Sequence, residues 1–280
     1  IEVGKMNYEI RKREDKKVAI FDENGNMITK EWYDDISSFG LVRGQSPYYI
    51  AKKDNKEAIF DVDGNMISPE WFDEVSSIGL LEGKSEYYVA EKDRKVAIFS
   101  RDGRKITDWY DAINAESLLK GESNLYIAKK NDKYAIFDIN GNMISPQWFD
   151  KIYPYGLVEG KSDYYHARKN QEWAIFDVYG NQITDWFDYI YPYGLVKGES
   201  DYYIACKNKK CAVYYIDGQK VSKDFSIKLL DYTRRITFIE NLGIAEVRKI
   251  NGKIKTIEFN PVCPYTYKEE LIDYTKLLNI

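Results

Sequence analysis

Residue types that build metal and redox sites are scarce in this chain of 280 residues. There is one histidine, His166, and there are three cysteines, Cys206, Cys211 and Cys263. A lone histidine argues against a metal site built on several histidines. An odd, small set of cysteines is not the framework of a small disulfide-stabilised domain. The sequence also shows no constellation of nucleophile, base and oxyanion donor, and we predict no catalytic residue, metal or cofactor, and a protein that is not an enzyme.

Long apolar runs and a strong net charge are also missing. No run approaches the roughly 18 apolar residues of a membrane-spanning helix, and 41 basic against 45 acidic residues give a net charge of −4. We expect no membrane and no nucleic acid among the partners. The chain begins at Ile1 without methionine or a signal-peptide pattern, so we expect a trimmed N-terminus from which the targeting cannot be read. For the location we favour the bacterial cytoplasm over the cell surface.

Aromatic residues, by contrast, are abundant, with 25 Tyr, 12 Phe and 6 Trp. Many of them belong to a repeat of 38 or 39 residues. A fixed period of this length is the sequence signature of a repeat architecture. We divide the chain into a β-repeat array over residues 1–225 and a C-terminal part over residues 226–280. The core segments of repeats 1 to 6 begin at Val18, Glu57, Val96, Tyr134, Trp173 and Cys211.

Each repeat predicts an antiparallel β-meander. A Tyr-rich strand, such as 48–51, leads through a short polar turn into the core strand, which then runs into an Asx-Gly pair, such as Asn24-Gly25. We assign the Asx-Gly pair to a type I′ hairpin turn. The core segments are apolar at consecutive positions, so these strands should be covered on both faces.

The predicted fold is therefore all-β, with tandem antiparallel β-meander repeats. We favour a propeller-like ring over an open β-solenoid because about 39 residues match one propeller blade. In the C-terminal part, Asn251-Gly252 predicts a hairpin. Thr266 and Glu269 form a capping box that predicts a helix closing the array.

The turn between the Tyr-rich strand and the core strand predicts which side chains face each other. The pairs suggest an ion pair, two cation–π contacts and a thiol pair. We expect the two cysteines to be reduced on a surface hairpin, with a cross-strand disulfide as the alternative. The pairs, in that order, are Lys52 with Glu57, Lys129 with Tyr134, Arg168 with Trp173, and Cys206 with Cys211.

The repeat resembles the bacterial WG repeat, also called the KWG repeat, from residue 8 to about residue 225. The resemblance rests on Phe-Asp-x-x-Gly, on Trp-aromatic-Asp-x-Ile, and on Gly-Leu some ten residues later. The aromatic-Gly step of that family is x-Ala here, as in Tyr134-Ala135, which indicates a divergent branch. The resemblance implies a bacterial binding protein and transfers no catalytic residue. The aromatic-Asp-x-Ile elements begin at Tyr33, Phe72, Tyr110, Phe149 and Phe187.

Two motifs look like ligand sites but fit turns better. Segments 79–85 and 156–162 resemble phosphate-binding loops, yet each is one residue too short and no helical pattern follows. Segments 61–65 and 138–142 carry clustered oxygen ligands for calcium, yet they lack the bidentate Glu of an EF-hand. His166 stands where other repeats have Ile or Val, and we predict a satisfied, buried structural histidine.

Two sets of aromatic residues are candidates for binding. One Trp recurs in each of the first five repeats and could stack on a ligand, although we expect it to wedge between repeats, with the following Asp bonding a turn. A Tyr-Pro-Tyr sequence occurs only in repeats 4 and 5, where repeats 1 and 2 have serines, and suits a partner-binding surface. The residues are Trp32, Trp71, Trp109, Trp148 and Trp186 in the first set and Tyr153, Tyr155, Tyr191 and Tyr193 in the second.

Together these features favour a non-enzymatic scaffold that presents loop and aromatic residues to a protein partner. A host protein, a toxin or a component of a defence system would suit such a surface. The alternative is a carbohydrate-binding or cell-wall-binding protein that uses the repeated Trp and Tyr residues.

Overall fold

The computed structural model describes residues 7–262, which form short antiparallel β-strands in seven successive sheets. The all-β prediction of tandem antiparallel repeats is confirmed. The predicted capping helix lies outside the described residues.

Sheet 1 contains β1 (Tyr8–Lys12) and β2 (Val18–Asp22), and sheet 2 contains β3 (Asp35–Ile36), β4 (Tyr48–Lys53) and β5 (Lys56–Asp61). Sheet 3 contains β6 (Glu74–Val75), β7 (Tyr87–Lys92) and β8 (Lys95–Ser100), and sheet 4 contains β9 (Ala112–Asn114), β10 (Leu125–Lys130) and β11 (Lys133–Asp138).

The remaining sheets continue this order. The described residues also include one short α-helix, α1 (Glu116–Leu119), and two 3₁₀ turns, Ile227–Leu229 and Glu240–Leu242. Sheet 5 contains β12 (Lys151–Ile152), β13 (Tyr164–Lys169) and β14 (Glu172–Asp177), and sheet 6 contains β15 (Tyr189–Tyr191), β16 (Tyr202–Lys207), β17 (Lys210–Tyr215) and β18 (Phe225–Ser226). Sheet 7, the C-terminal sheet, contains β19 (Thr233–Ile239), β20 (Ile244–Lys249) and β21 (Ile254–Glu258).

Consecutive sheets share a segment of chain. The backbone of Phe72 exchanges two hydrogen bonds of 2.8 Å with Glu57 of sheet 2. Two residues later the same segment becomes β6, which pairs with β7 in sheet 3. Each of sheets 2 to 6 therefore begins with a strand that follows the core strand of the preceding repeat in the sequence, and neighbouring repeats are linked by main-chain hydrogen bonds.

The Asp of each aromatic-Asp step ties two repeats together. The Asp73 carboxylate accepts a hydrogen bond of 2.7 Å from the backbone N–H of Asp93, in the β7–β8 turn, and pairs with the Lys56 ammonium of its own repeat. These are charge-assisted contacts at the junction of two sheets. Asp34, Asp111 and Asp150 make the same pair of contacts, and Asp188 accepts the backbone N–H of Asn208.

The prediction of the turn types is wrong in an instructive way. In the Asx-Gly turns only the glycine has a positive φ, as at Gly25, where φ is 78° and the N–H donates to Asp22 O. This is a type I turn closed by a left-handed glycine. The type I′ geometry belongs instead to the other turn, which has positive φ at both central residues without glycine. These pairs are Asp54-Asn55, Asp93-Arg94, Asn131-Asp132, Asn170-Gln171 and Asn208-Lys209.

The core lies between the sheets, as the consecutive apolar residues predict. Six clusters of buried side chains each combine residues of two neighbouring sheets. In one of them, Ile59 of sheet 2 packs with Tyr88 and Phe99 of sheet 3. Within the described residues no cluster joins sheet 1 to sheet 7, and no sheet closes on itself. The propeller-like ring remains a prediction.

The predicted register of the cross-strand pairs is confirmed, with two changes of chemistry. Lys129 lies over Tyr134, and Arg168 lies over Trp173, each 5.7 Å from the ring centroid. The predicted Lys52–Glu57 ion pair is wrong, because the Glu57 carboxylate accepts the backbone N–H of Val75 at 2.8 Å instead.

The expectation that Cys206 and Cys211 are reduced on a surface hairpin is also wrong. The two residues are directly opposite each other in β16 and β17, with Cα atoms 4.0 Å apart, and form a disulfide. Both are buried between sheets 6 and 7. Their position in the hairpin next to the turn brings two Cβ atoms close together, which allows the bond to form.

Candidate functional site

The two Tyr-Pro-Tyr segments lie at the start of loops that stack on one another. Each loop connects the first strand of a sheet to the Tyr-rich strand that follows it. Their backbones approach so closely that a Cβ added at Gly156 would be 2.1 Å from Val196 O, and Gly156 has a φ of 77°. Only glycine fits this position, and the contact fixes the repeat 4 loop against the repeat 5 loop.

Tyr153 is the centre of an aromatic stack in sheet 5. Its ring lies parallel to Trp173, with centroids 5.2 Å apart and an interplanar angle of 7°. Tyr155 is 5.8 Å away, and the Lys151 ammonium is 4.5 Å from the Tyr153 centroid. The β12–β13–β14 register produces this arrangement, because it places Lys151 beside Arg168, and Arg168 beside Trp173. Each of these side chains is therefore held in position by its neighbours.

Lys197 joins the two loops. Its ammonium lies 4.7 Å from the Tyr155 centroid and 4.6 Å from the Tyr193 centroid, so it is held between rings of consecutive repeats. The backbone N–H of Lys197 donates to Pro192 O at 2.9 Å, which fixes the start of the side chain. The Tyr193 hydroxyl donates to Arg234 O at 2.7 Å, which ties the loop to the C-terminal sheet.

The structure brings three of the four predicted tyrosines together. Tyr153, Tyr155 and Tyr193 are half-buried and, with Lys151 and Lys197, form what we call the tyrosine–lysine surface. Tyr191 packs, like Tyr193, against the core between sheets 6 and 7, but no aromatic or cation–π contact within residues 7–262 joins it to these five side chains, and burial raises its pKa to about 12. It therefore does not belong to this surface.

His166 lies beneath the surface, between Tyr153 and Trp173, with ring centroids 5.3 and 5.0 Å away. It is 2% exposed, as predicted, and burial lowers its pKa to about 3. The prediction that its polar atoms are satisfied is wrong for Nδ1, which has no hydrogen-bond partner among the described residues. The neutral ring packs as an aromatic group, which explains why an Ile or Val position accepts it.

The charge of this surface is positive, which the sequence reading missed. In the described part of the chain, Lys151, Arg168 and Lys197 form no ion pair, whereas Glu159 and Glu199 in the same loops are engaged by Lys161 and Arg235. The sequence did contain a signal for this charge, because a cation follows a loop aromatic residue by four positions, as Lys197 follows Tyr193. Arg43 lies 4.0 Å above Phe39 at the matching positions of repeat 1.

The Trp series lies between repeats. Trp71 contacts Phe60 of its own repeat at 5.8 Å and Tyr33 of the preceding repeat at 6.3 Å. Trp109 and Trp148 make the equivalent pair of contacts. Trp32 and Trp186 each pack on the core-strand Phe. All five rings are half-buried, and Trp71, Trp109 and Trp148 each have aromatic neighbours from two repeats.

The motifs that suggested phosphate or calcium are used in turns. Asp61 accepts the backbone N–H groups of Asp63 and Asn65 at 3.0 and 2.8 Å. In segment 79–85, Lys84 N donates to Gly79 O and a strand follows. Among residues 7–262 no group of His, Cys, Asp and Glu could hold a metal ion, and no helix is long and apolar enough to cross a membrane.

A comparison with protein-family models and one with curated proteins each found no match, so the resemblance to the WG repeat remains a prediction. Solved structures similar over 91 to 93% of this chain include a eukaryotic initiation factor (11% identity, TM-score 0.43, 74% of that chain), Kluyveromyces lactis Hsv2 (12%, 0.35, 97%) and the Myceliophteria thermophila Cps50 (Swd1) beta-propeller domain (9%, 0.30, 98%). Similarity this low assigns no family and no function to the chain.

Proposed function

We propose that this protein is a non-enzymatic scaffold that binds a protein partner through the tyrosine–lysine surface. The observation that carries the proposal is the Lys197 ammonium held between Tyr155 and Tyr193, which makes one surface from two repeats. Half-buried tyrosines already fixed by their neighbours lose little conformational entropy on binding. Tyrosine is also among the residue types enriched in interface centres.

The stacked loops support the same proposal. Contact between the Gly156 backbone and Val196 O, and the bond from Tyr193 to Arg234 O, restrain both loops before any partner arrives. The equivalent positions of repeat 2 are Ser76 and Ile78, which provide no such surface. Differences between copies on a shared framework are where a specific binding site is expected.

Carbohydrate binding through the Trp series has weaker support. A sugar ring needs an open aromatic face, and the Trp faces contact Phe and Tyr side chains of two repeats. The regular spacing of these residues is accounted for by packing between sheets. We therefore place the proposed partner contact at the loops rather than at the Trp residues.

The test is quantitative affinity capture followed by reconstitution. Wild type, Tyr155→Ala/Tyr193→Ala and the control Tyr179→Ala, which removes a tyrosine that is 86% exposed outside the surface, are immobilised and exposed to lysate of the source organism. A protein captured in stoichiometric amount is then purified, and its Kd is measured with each variant. We expect the double variant to lose at least about tenfold in affinity and the control to retain it.

Two results would contradict the proposal. One is a partner that binds all three proteins equally. The other is retention of wild type on polysaccharide or cell-wall material that Trp71→Ala abolishes and Tyr155→Ala/Tyr193→Ala leaves intact. Thermal unfolding of each variant shows whether a loss of binding reflects a loss of folding, which matters because Tyr193 also bonds Arg234 O.

A further inference from the structure

We propose that the partner presents an acidic peptide segment, and that Lys151, Arg168 and Lys197 select it by its carboxylates. This inference rests on the proposed function and names the chemistry of the partner. The three cations lie on one surface, because Lys151 and Arg168 are opposite each other in β12 and β13 and Lys197 reaches Tyr155 from the next loop.

The cations are available to a ligand. None of the three forms an ion pair within residues 7–262, although all are half-buried, and the Nε atom of Arg168 is buried without a hydrogen-bond partner there. Each cation rests on an aromatic ring, at 4.5 Å for Lys151 on Tyr153 and at 5.7 Å for Arg168 on Trp173. Fixed, partly desolvated cations bind carboxylates more strongly than freely moving ones.

In sheets 2, 3 and 5, three residues that are directly opposite one another in adjacent strands form a row, as Lys151, Arg168 and Trp173 do in sheet 5. The charge of this row differs between the three sheets. In sheet 2 the row is Asp35, Lys52 and Glu57, in sheet 3 it is Glu74, Glu91 and Val96, and in sheet 5 it is Lys151, Arg168 and Trp173. The row is therefore acidic in sheet 3 and basic in sheet 5. An acidic segment is attracted to sheet 5 and repelled by sheet 3, which would fix its position along a chain whose net charge is −4.

Single-stranded nucleic acid is the competing ligand for a basic, aromatic surface, since bases stack on exposed rings. Here each of the three tyrosine rings already has a partner over one face. Tyr155 and Tyr193 each have Lys197 over the face, and Tyr153 has Trp173 as a parallel neighbour and Lys151 close by. The three cations form no ion pair within residues 7–262, which leaves their charge for a carboxylate ligand. The surface therefore fits an acidic peptide that also carries apolar or aromatic residues.

A random peptide display library selected against the full chain tests this inference. Wild type is compared with Lys151→Gln/Lys197→Gln and with Lys130→Gln/Lys253→Gln, which removes the same charge from two exposed lysines that form no ion pair in the described part of the chain. We expect acidic peptides with apolar residues to be enriched. Their affinity should fall about tenfold in the first variant, stay unchanged in the control, and weaken as salt is raised.

The outcomes separate this inference from the proposed function. Neutral or basic peptides that require Tyr155 and Tyr193 would overturn the acidic partner and leave the scaffold in place. Peptides that bind Tyr155→Ala/Tyr193→Ala as well as wild type, or a library without binders to this surface, would overturn both. Binding of an oligothymidine probe that is lost in Lys151→Gln/Lys197→Gln would replace the acidic peptide by nucleic acid.

Discussion

At the scale of single residues, the most unusual groups are buried tyrosine hydroxyls at one position of the repeat. Tyr49, Tyr88 and Tyr165 are fully buried, and their hydroxyls have no hydrogen-bond partner among the described residues. Burial raises the pKa of each. Each ring stacks on the core-strand Phe of its repeat, as Tyr88 does on Phe99 with centroids 5.7 Å apart.

We predict that Tyr88→Phe stabilises the protein by about 1 kcal/mol, because it removes a desolvated hydroxyl and keeps the ring stacked on Phe99. The free energy of unfolding, measured by urea denaturation, gives the answer. Tyr202→Phe is the control, since the Tyr202 hydroxyl bonds the backbone of Val262 at 2.7 and 3.1 Å. This control should lose stability. A loss of stability in Tyr88→Phe would show that its hydroxyl is satisfied in solution.

Single residues were predictable from the sequence where the backbone decides their partners. The two-residue turn fixes which residues face each other, so the contacts Arg168–Trp173 and Lys129–Tyr134 follow from the register. The contact of Lys197 with Tyr193, four residues earlier in the same loop, had a local signal, whereas its contact with Tyr155 could not be predicted because Tyr155 belongs to another repeat. That contact depends on how far one loop is displaced relative to the next, and no local pattern encodes this displacement. Glu57 was misassigned for the same reason, since Val75 belongs to the following sheet.

At the scale of elements, the type I′ turns have an unexpected composition. Arg94, Gln171 and Lys209 have φ values of 61°, 68° and 64°, which is left-handed backbone that L-residues rarely adopt. The first turn residue is held by the Asp of the preceding repeat, as the backbone N–H of Asp93 is by Asp73 at 2.7 Å. This hydrogen bond stabilises the turn and offsets the conformational cost of the positive φ.

We predict that Arg94→Gly raises the free energy of unfolding by about 1 kcal/mol, because glycine adopts the positive φ without strain. Arg94 is exposed, and within residues 7–262 its side chain forms no hydrogen bond, ion pair or cation–π contact that the substitution would remove. Arg104→Gly in the same repeat is the matched control, since Arg104 is exposed but has no positive φ. The control should be destabilised by the greater flexibility of its unfolded chain. Equal effects in the two variants would contradict the prediction.

The strands and hairpins were predictable because the consecutive apolar residues, the turn residues and the period all agree. The sequence analysis assigned the type I′ turn to the wrong position in the repeat, because Asx-Gly is the common sequence of a type I′ turn. In this protein the Asx-Gly segment also contains an Asp at its start, as at Asp61, whose carboxylate binds two backbone N–H groups and imposes a type I turn instead. The true type I′ turn is specified by a distant Asp, which is visible only once neighbouring sheets are placed together.

At the scale of the whole molecule, the Asp residues of the aromatic-Asp steps, which lie at the junctions between sheets, make the free energy of unfolding depend on pH. The lysine hydrogen bond is the largest cause that lowers the pKa of Asp34, Asp73, Asp111 and Asp150 below its ordinary value. Between the lowered pKa and the unfolded value of about 3.9, the unfolded chain binds more protons than the folded one. The stabilisation is therefore complete above about pH 5 and is lost as the pH falls through the folded pKa values.

We predict that Asp73→Asn/Asp150→Asn flattens this dependence. Wild type should lose free energy of unfolding as the pH falls below about 5, and the double variant should start lower and change less. Urea denaturation at several pH values measures both. The control Asp163→Asn changes an exposed carboxylate that makes no hydrogen bond or ion pair in residues 7–262, and it should follow wild type. A double variant with the wild-type slope would contradict the role of these carboxylates.

The segment that passes from one sheet into the next has a consequence for how such a chain can lengthen. Because Phe72 bonds sheet 2 and β6 belongs to sheet 3, one period of 38 or 39 residues contains the residues of one junction, whatever residue it starts from. Tandem duplication of any such length therefore adds one further junction, Asp included. Gene duplication could therefore extend this protein one repeat at a time without a new interface having to evolve, and each added copy would bring loops free to diverge into a different binding surface.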